Sequence, residues 1–439
     1  MADVRAFRAL RPPRDLAARV VAPPYDVVGT EEARKLADGN PLSFLHVTRP
    51  EIGFAPGTDP HTEQVYRQGR TALDALVRDG VLRRDSTAGF SVYRQTWRGR
   101  AQTGVVGCVT VADYDAGVIR THEHTRPDKE TDRARHIAGL DAHDEPVFLL
   151  TPPDPRVAAE VAAVVTGEPD YDLTVDTVRH TLWVVDDPDR VSALREAFAA
   201  VTRLYVADGH HRSAAAGVVH RWRTEPGTGH GTGAVPGEGA GTKGEARTGT
   251  KAGSGGSGVF PAVIFPADEL RVLAYNRVVT DLAGHRPEDL PGLLSAAGFE
   301  VTPAPAAVEP QRRHEFGAYL AGQWFRLVAR DTGPVETDPI ARLDVSLLQD
   351  RVLGPVLGVT DPRTDARIRF VGGIRGTAEL EHLVDTGQAA LALSLYPTST
   401  EELLAVADTG QVMPPKSTWF EPKLLSGLFV HPMNPDPGS

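Results

Sequence analysis

The chain has 439 residues, 41% of them hydrophobic and 24% charged, with a formal net charge of −11. That length has room for roughly two to four domains of about 100–200 residues, with cores that need neither disulfides nor structural metal. The acidity argues against nonspecific nucleic-acid binding, which requires a basic face. The single cysteine, Cys108, excludes an intramolecular disulfide or a cysteine metal cluster.

The opening run Met1-Ala2-Asp3-Val4-Arg5 lacks the apolar core of a signal peptide. No window reaches the ~18 apolar residues of a membrane helix, so a cytoplasmic protein with no membrane partner is expected. Val21-Ala22-Pro23-Pro24-Tyr25-Asp26-Val27-Val28 reads as a stiff loop, because paired prolines fix φ and extend the chain. It either presents Tyr25 and Asp26 in a defined direction or is a rigid turn with Tyr25 packed. Asn40 to Pro50 reads as an apolar strand ending in His46 and Arg49. Thr62 to Arg78 is a predicted helix, with Val65, Leu73 and Leu76 on one face and Gly80 past its end. Phe90 to Trp97 and Gly104 to Tyr114 form a predicted hairpin turning at Arg98-Gly99-Arg100, with Cys108 buried in the second strand.

Thr121-His122-Glu123-His124-Thr125-Arg126-Pro127 follows a strand-like run. A carboxylate between two histidines suits proton transfer or metal binding. Glu123 is the first choice for general base or Mg²⁺ ligand, and His122, His124 and Arg133 are candidate substrate contacts. On an extended segment the two histidines share a face and Glu123 points the other way. The bland alternative for Asp132, Arg133 and Arg135 is a solvated helix start.

Predicted elements then alternate: strand Pro146 to Thr151, helix Arg156 to Val165, strand Thr181 to Val185, helix Val191 to Val201, strand Leu204 to Ala207, helix Ser213 to Trp222. Between the last two lies Asp208-Gly209-His210-His211-Arg212. Strand, tight glycine turn and helix put backbone amides at a helix N-terminus, where anions are favoured. Gly209, His210, His211, Arg212 and Ser213 are therefore candidate phosphate ligands, with Arg212 supplying a planar donor fork. Asp208 is a candidate Mg²⁺ ligand or base, and His210 a candidate acid or base. The alternative is an N-capping turn with surface histidines. Adjacent His210 and His211 lack the spacing to share a zinc ion.

From Thr224 to Gly258 there is almost no large apolar residue, so this stretch is expected to be a disordered insertion. The expected division is residues 1–223, the insertion 224–258, and 259–439 completing the core. Strands are expected near Val259, Val272, Trp324, Ile368 and Leu391, and helices near Leu290, Leu347, Leu380 and Leu403. The class is mixed α/β to α+β. Near the end, Met413-Pro414-Pro415-Lys416-Ser417-Thr418-Trp419-Phe420-Glu421-Pro422-Lys423 places a cation and two hydroxyls together. No glycine-rich run precedes them, so this is not a P-loop. Lys416, Ser417 and Thr418 are candidate anion contacts, or else part of a packed loop anchored by Trp419 and Phe420.

Four segments, namely Ala22 to Val28, His122 to Thr125, Asp208 to Arg212 and Met413 to Lys423, resemble the bacterial family called domain of unknown function ten-fifteen, in that family's order. The Asp-Gly-His-His-Arg loop is also similar to the phosphate loop of the superfamily of chromosome-partition nucleotidases, sulfiredoxin and free-serine kinases. That resemblance implies a nucleotidase/sulfiredoxin-like core, with Gly209 to Ser213 on nucleotide phosphates. Sulfiredoxin chemistry needs a loop cysteine, which this loop lacks. The expected function is phosphoryl transfer from ATP or ADP, with Mg²⁺, to a free hydroxyl amino acid such as serine; Glu123, Asp26 and Asp208 are the candidate carboxylates. A nucleotide-binding switch and a metal-dependent phosphohydrolase are the alternatives.

Overall fold

The computed structural model describes residues 1–225, 256–330 and 338–434. Most of the expected insertion, residues 226–255, lies outside them. The chain divides into two compact units. One comprises Met1–Arg120, His124–Glu269 and Pro422–Ser439; the other comprises Thr121–Glu123 and Leu270–Glu421. The class is mixed α/β. Among the described residues no helix is long and apolar enough to cross a membrane.

The first unit is organised by a nine-stranded sheet. Along it run, in order, Ile119–Arg120, Leu204–Asp208, Val147–Thr151, Val259–Pro266, Arg100–Thr110, Phe90–Trp97, Val178–Val185 and Tyr171–Val175, and Val4–Arg5 pairs off this path with Arg100–Thr110. Val259–Pro266 pairs with strands from before the 226–255 segment on both of its sides. The predicted hairpin forms, and Arg98 and Gly99 both take positive φ at its turn. Its second strand stops at Thr110 rather than continuing to Tyr114. The Thr110 side chain there accepts from the Asp113 amide and caps the helix Val111–Asp115. An N-cap hydroxyl satisfies an orphan helix amide, and this local gain outweighs strand continuation.

One face of the sheet buries Val92, Leu149, Leu204 and Ile264 with Leu194 and Phe198 of the helix Pro188–Phe198. A second core, including Phe44, Leu45, Leu73, Leu76 and Leu140, holds the N-terminal segment to the helix Glu63–Arg78. That helix starts as predicted, with Thr62 capping the Val65 amide. Asn40 to Pro50 is not a strand. Leu45–Thr48 is helical and Pro50–Gly53 is a 3₁₀ turn, because this short apolar run packs into the second core rather than onto a sheet edge. The helices Pro127–Leu140 and His210–Thr224 meet through Ala134, Ile137, Ala215 and Val219. Small side chains there let the two helices approach closely.

The second unit carries a fully antiparallel six-stranded sheet in the order Phe299–Ala304, Gln323–Ala329, Glu315–Leu320, Leu391–Leu395, Tyr275–Val279 and Ile368–Gly372. The helix Gly376–Asp385 packs Leu380 and Leu383 against it.

Candidate functional site

The strand Leu204–Asp208 is an apolar run ending in Asp208. A register irregularity between Val206 and Asp208 re-aims that last residue. Gly209 follows with φ 93° and ψ 29°, and the helix His210–Thr224 begins at once, three residues earlier than the sequence suggests. His210, His211 and Arg212 are thus first-turn helix residues. Glycine is required at 209 on two counts: its φ is left-handed, and a Cβ there would lie 3.0 Å from Arg212 Nε and 3.1 Å from Cζ. The N-cap has no side chain with which to cap the first-turn amides, so the positive end of the helix dipole is left without a capping side chain of its own.

Antiparallel pairing sets Asp208 opposite Phe148. This places the end of one strand beside the Asp144-Glu145-Pro146 approach to the next. Arg212 is the hub of the resulting cluster, and its side chain is only 6% exposed. Nη1 donates to the Pro146 carbonyl at 2.6 Å and lies 3.7 Å from Glu145 Oε2. Nη2 lies 3.5 Å from Asp208 Oδ2 and 4.0 Å from Asp26 Oδ2. Burial works against its charge, but Asp26, Glu145 and Asp208 more than offset this and hold it protonated more firmly than in water. Two of the guanidinium nitrogens thus face the protein's own carboxylates and a carbonyl, while Nε is buried with no hydrogen-bond partner among the described residues.

Glu145 was not among the sequence candidates. Its Oε1 accepts from the Tyr25 amide at 2.9 Å and from Ser426 Oγ at 2.7 Å. Burial pushes its carboxyl up despite the nearby guanidinium of Arg212. The sequence signal was present: two acids, Asp144 and Glu145, stand directly before a wholly buried strand, where unpaired charge is too costly to be incidental. Asp144 pairs with the buried His136 at 3.1 Å. Lys423, at the end of the C-terminal segment, is a second residue outside the sequence candidates, with Nζ 3.6 Å from Asp208 Oδ2.

The stiff loop is tied down at both of its residues of interest, with Tyr25 packed under a guanidinium and Asp26 partly exposed. Ala22 and Ser426 exchange backbone hydrogen bonds, and the Arg133 guanidinium sits 4.0 Å over the Tyr25 ring. The structure thus brings Tyr25, Asp26, Arg133, Asp208, Gly209 and Arg212 together. The exposed layer is carboxylate: Asp26 side chain is 38% exposed and that of Asp208 28%.

Other predicted ligands have internal duties. His211 Nε2 accepts from the Arg126 amide at 3.1 Å, at the N-cap of the helix Pro127–Leu140. Ser213 is fully buried, and its hydroxyl donates back to the Gly209 and His210 carbonyls. His210 is buried and His124 exposed. In the second unit, His122 is 1% exposed, and its Nε2 lies 3.2 Å from Thr418 Oγ1. Ser417 Oγ donates to the Pro414 carbonyl at 2.6 Å. Lys416 takes φ 57° and sets Nζ 5.9 Å from the Tyr275 ring centre. The buried Arg277 donates to the Lys416 carbonyl at 3.2 Å, and burial lowers its pKa to about 10. Glu123 is half-buried in the same unit. Among the described residues no group of three or more His, Cys, Asp or Glu is arranged to hold a metal ion.

Fold and site together define a mixed α/β protein in which a buried guanidinium holds two partly exposed carboxylates, one on a loop and one at the end of a sheet strand. The chain belongs to the family described as Protein of unknown function (DUF1015), whose profile matches residues 4–346. The Met413 to Lys423 segment, the most specific of the four sequence resemblances, lies beyond that match. Among curated proteins none matches the sequence. Similar solved structures include a free serine kinase in complex with AMP, at 13% identity and TM-score 0.34, covering 75% of this chain and 88% of that one. SbnI with C-terminal truncation from Staphylococcus aureus shows 11% identity and TM-score 0.37, covering 74% and 86%. A conserved hypothetical protein from Pyrococcus furiosus shows 13% identity and TM-score 0.32, covering 75% and 92%.

Proposed function

We propose that the first unit transfers a phosphoryl group from a nucleotide, ATP or ADP, to a small hydroxyl compound, free serine being the acceptor to test first. One observation carries this reading. Asp26 and Asp208 are both held within 4.0 Å of a single buried guanidinium nitrogen, beside the left-handed glycine that opens a long helix. Phosphoryl transfer is mostly positioning and electrostatics: a cradle for the phosphates, cations to offset their charge, and a carboxylate that orients the hydroxyl.

The helix amides that follow Gly209 supply the cradle, as at other helix N-termini. Lys423 supplies a cation. Mg²⁺ fits the donor set, since it is usually held by one or two carboxylates together with phosphates and waters. Asp208 is the protein ligand proposed for it, and when bound it would neutralise donor charge. Asp26, the more exposed carboxylate, orients and deprotonates the acceptor hydroxyl. Arg212 and Glu145 are positioning residues that lock both aspartates. Glu123, the first choice from sequence, yields the base role to Asp26 here, because Asp26 stands in the guanidinium cluster.

The test is incubation of the purified chain with serine, Mg²⁺ and ATP, ADP or pyrophosphate in turn, with phosphoserine read by mass spectrometry. Calorimetric nucleotide binding without turnover on any hydroxyl acceptor would replace this reading with a nucleotide-binding module. Release of free phosphate alone would replace it with a hydrolase.

A further inference from the structure

The first unit contains a cavity of about 440 Å³ whose lining includes Arg11, Arg14, Arg83, Arg84, Ser86 and Thr87. That volume lies in the usual small-molecule range of roughly 300–1,000 Å³. None of these residues takes part in the Gly209 cluster. The strands Leu10–Arg11 and Arg83–Arg84 pair antiparallel, with Arg11 directly opposite Arg83. Like charges in that position are destabilising unless something offsets them.

The partners among the described residues leave one nitrogen of Arg11 unpaired. Asp85 Oδ1 accepts from Arg11 Nε at 3.0 Å and Nη2 at 2.6 Å. Its other oxygen accepts from the Ala9 amide at 3.2 Å. Asp170, also in the lining, accepts from the Val184 amide at 2.7 Å. Arg11 Nη1 is buried and has no hydrogen-bond partner among the described residues, although its side chain is only 10% exposed. A buried donor left without an acceptor is costly. Four guanidinium groups thus share the cavity with three carboxylates, Asp85, Asp170 and Asp186, two of which already serve backbone amides.

We propose that this cavity binds a small phosphorylated metabolite, with Arg11 Nη1, Arg14 and the hydroxyls of Ser86 and Thr87 taking its phosphate group. Guanidinium forks with neighbouring hydroxyls match the shape and acceptor count of a phosphate monoester. The site stands whether or not the Gly209 cluster proves to be a kinase.

Hydrogen–deuterium exchange of the full chain, with inorganic pyrophosphate as the probe, reads the cavity locally. Exchange should slow in peptides covering residues 10–14 and 83–89. Arg14→Glu, a change at an exposed position, should raise the pyrophosphate concentration needed by at least tenfold. Thr87→Ala should raise it several-fold and serves if the first variant folds poorly. No slowing in those peptides, slowing that both variants leave intact, or equal slowing by sulfate at the same concentration would each overturn the proposal.

Discussion

Arg212 Nη2 and Asp208 Oδ2 stand 3.5 Å apart across one turn at the start of a helix. The buried guanidinium thus holds the carboxylate that ends the strand Leu204–Asp208. The same nitrogen lies 4.0 Å from Asp26 Oδ2. One buried cation thus sets the geometry of two partly exposed acids, and changes at this hub should affect folding as well as chemistry.

Arg212→Ala removes the counter-charge from Glu145, which is only 2% exposed. Stripping one partner from a buried pair costs about 3–5 kcal/mol. Urea denaturation should show a lowered midpoint with an unchanged slope. A variant as stable as the parent would mean that the cluster does not need this guanidinium.

Asp26→Asn should be nearly neutral for stability, because Asp26 is partly exposed and 4.0 Å from its partner. Turnover should fall by about 10²–10⁴, the usual range for losing a general base, with nucleotide affinity little changed. Steady-state rates beside calorimetric titration separate the two effects. A rate within a few-fold of the parent returns the base role to Glu123, for which Glu123→Gln is the matching assay.

Gly209→Ala forces a side chain into a φ of 93° and against Arg212. The left-handed strain alone is roughly 1–2 kcal/mol. Thermal unfolding should show the loss, and nucleotide binding should weaken in the folded fraction. Unaltered binding would remove the helix start from the proposed cradle.

Stability should also depend on pH through Asp344. Burial raises its pKa from 3.8 to about 7, although the His314 amide donates to it. Between those two values the folded chain binds more protons than the unfolded one, so stability falls as pH rises across that window. Melting temperatures should drop between pH 4 and about pH 7, and Asp344→Asn should flatten that part of the profile. An identical slope in the variant would assign the dependence to other groups.

Much of the first unit was legible because its signals are local. Thr62 caps the predicted helix and Arg98-Gly99 turns the predicted hairpin, as their side-chain chemistry dictates. Asn40 to Pro50 misled because a short apolar run reads alike for a buried strand and a buried helical turn. Glu145 was missed because its signal, two acids just before an apolar strand, reads as loop chemistry unless the cost of burying that charge is weighed.

The sequence by itself determined that a glycine bend runs from a strand into a helix at residue 209, since only glycine meets that φ without strain and the flanking apolar periods are local. Tertiary structure alone decided what Arg212 does. Antiparallel pairing delivered Glu145 and Pro146 to it, and the Ala22 bridge to Ser426 brought the Tyr25-Asp26 loop beside Glu145. A buried guanidinium takes whichever acceptors the fold brings within reach, and no local pattern records partners so distant in the chain.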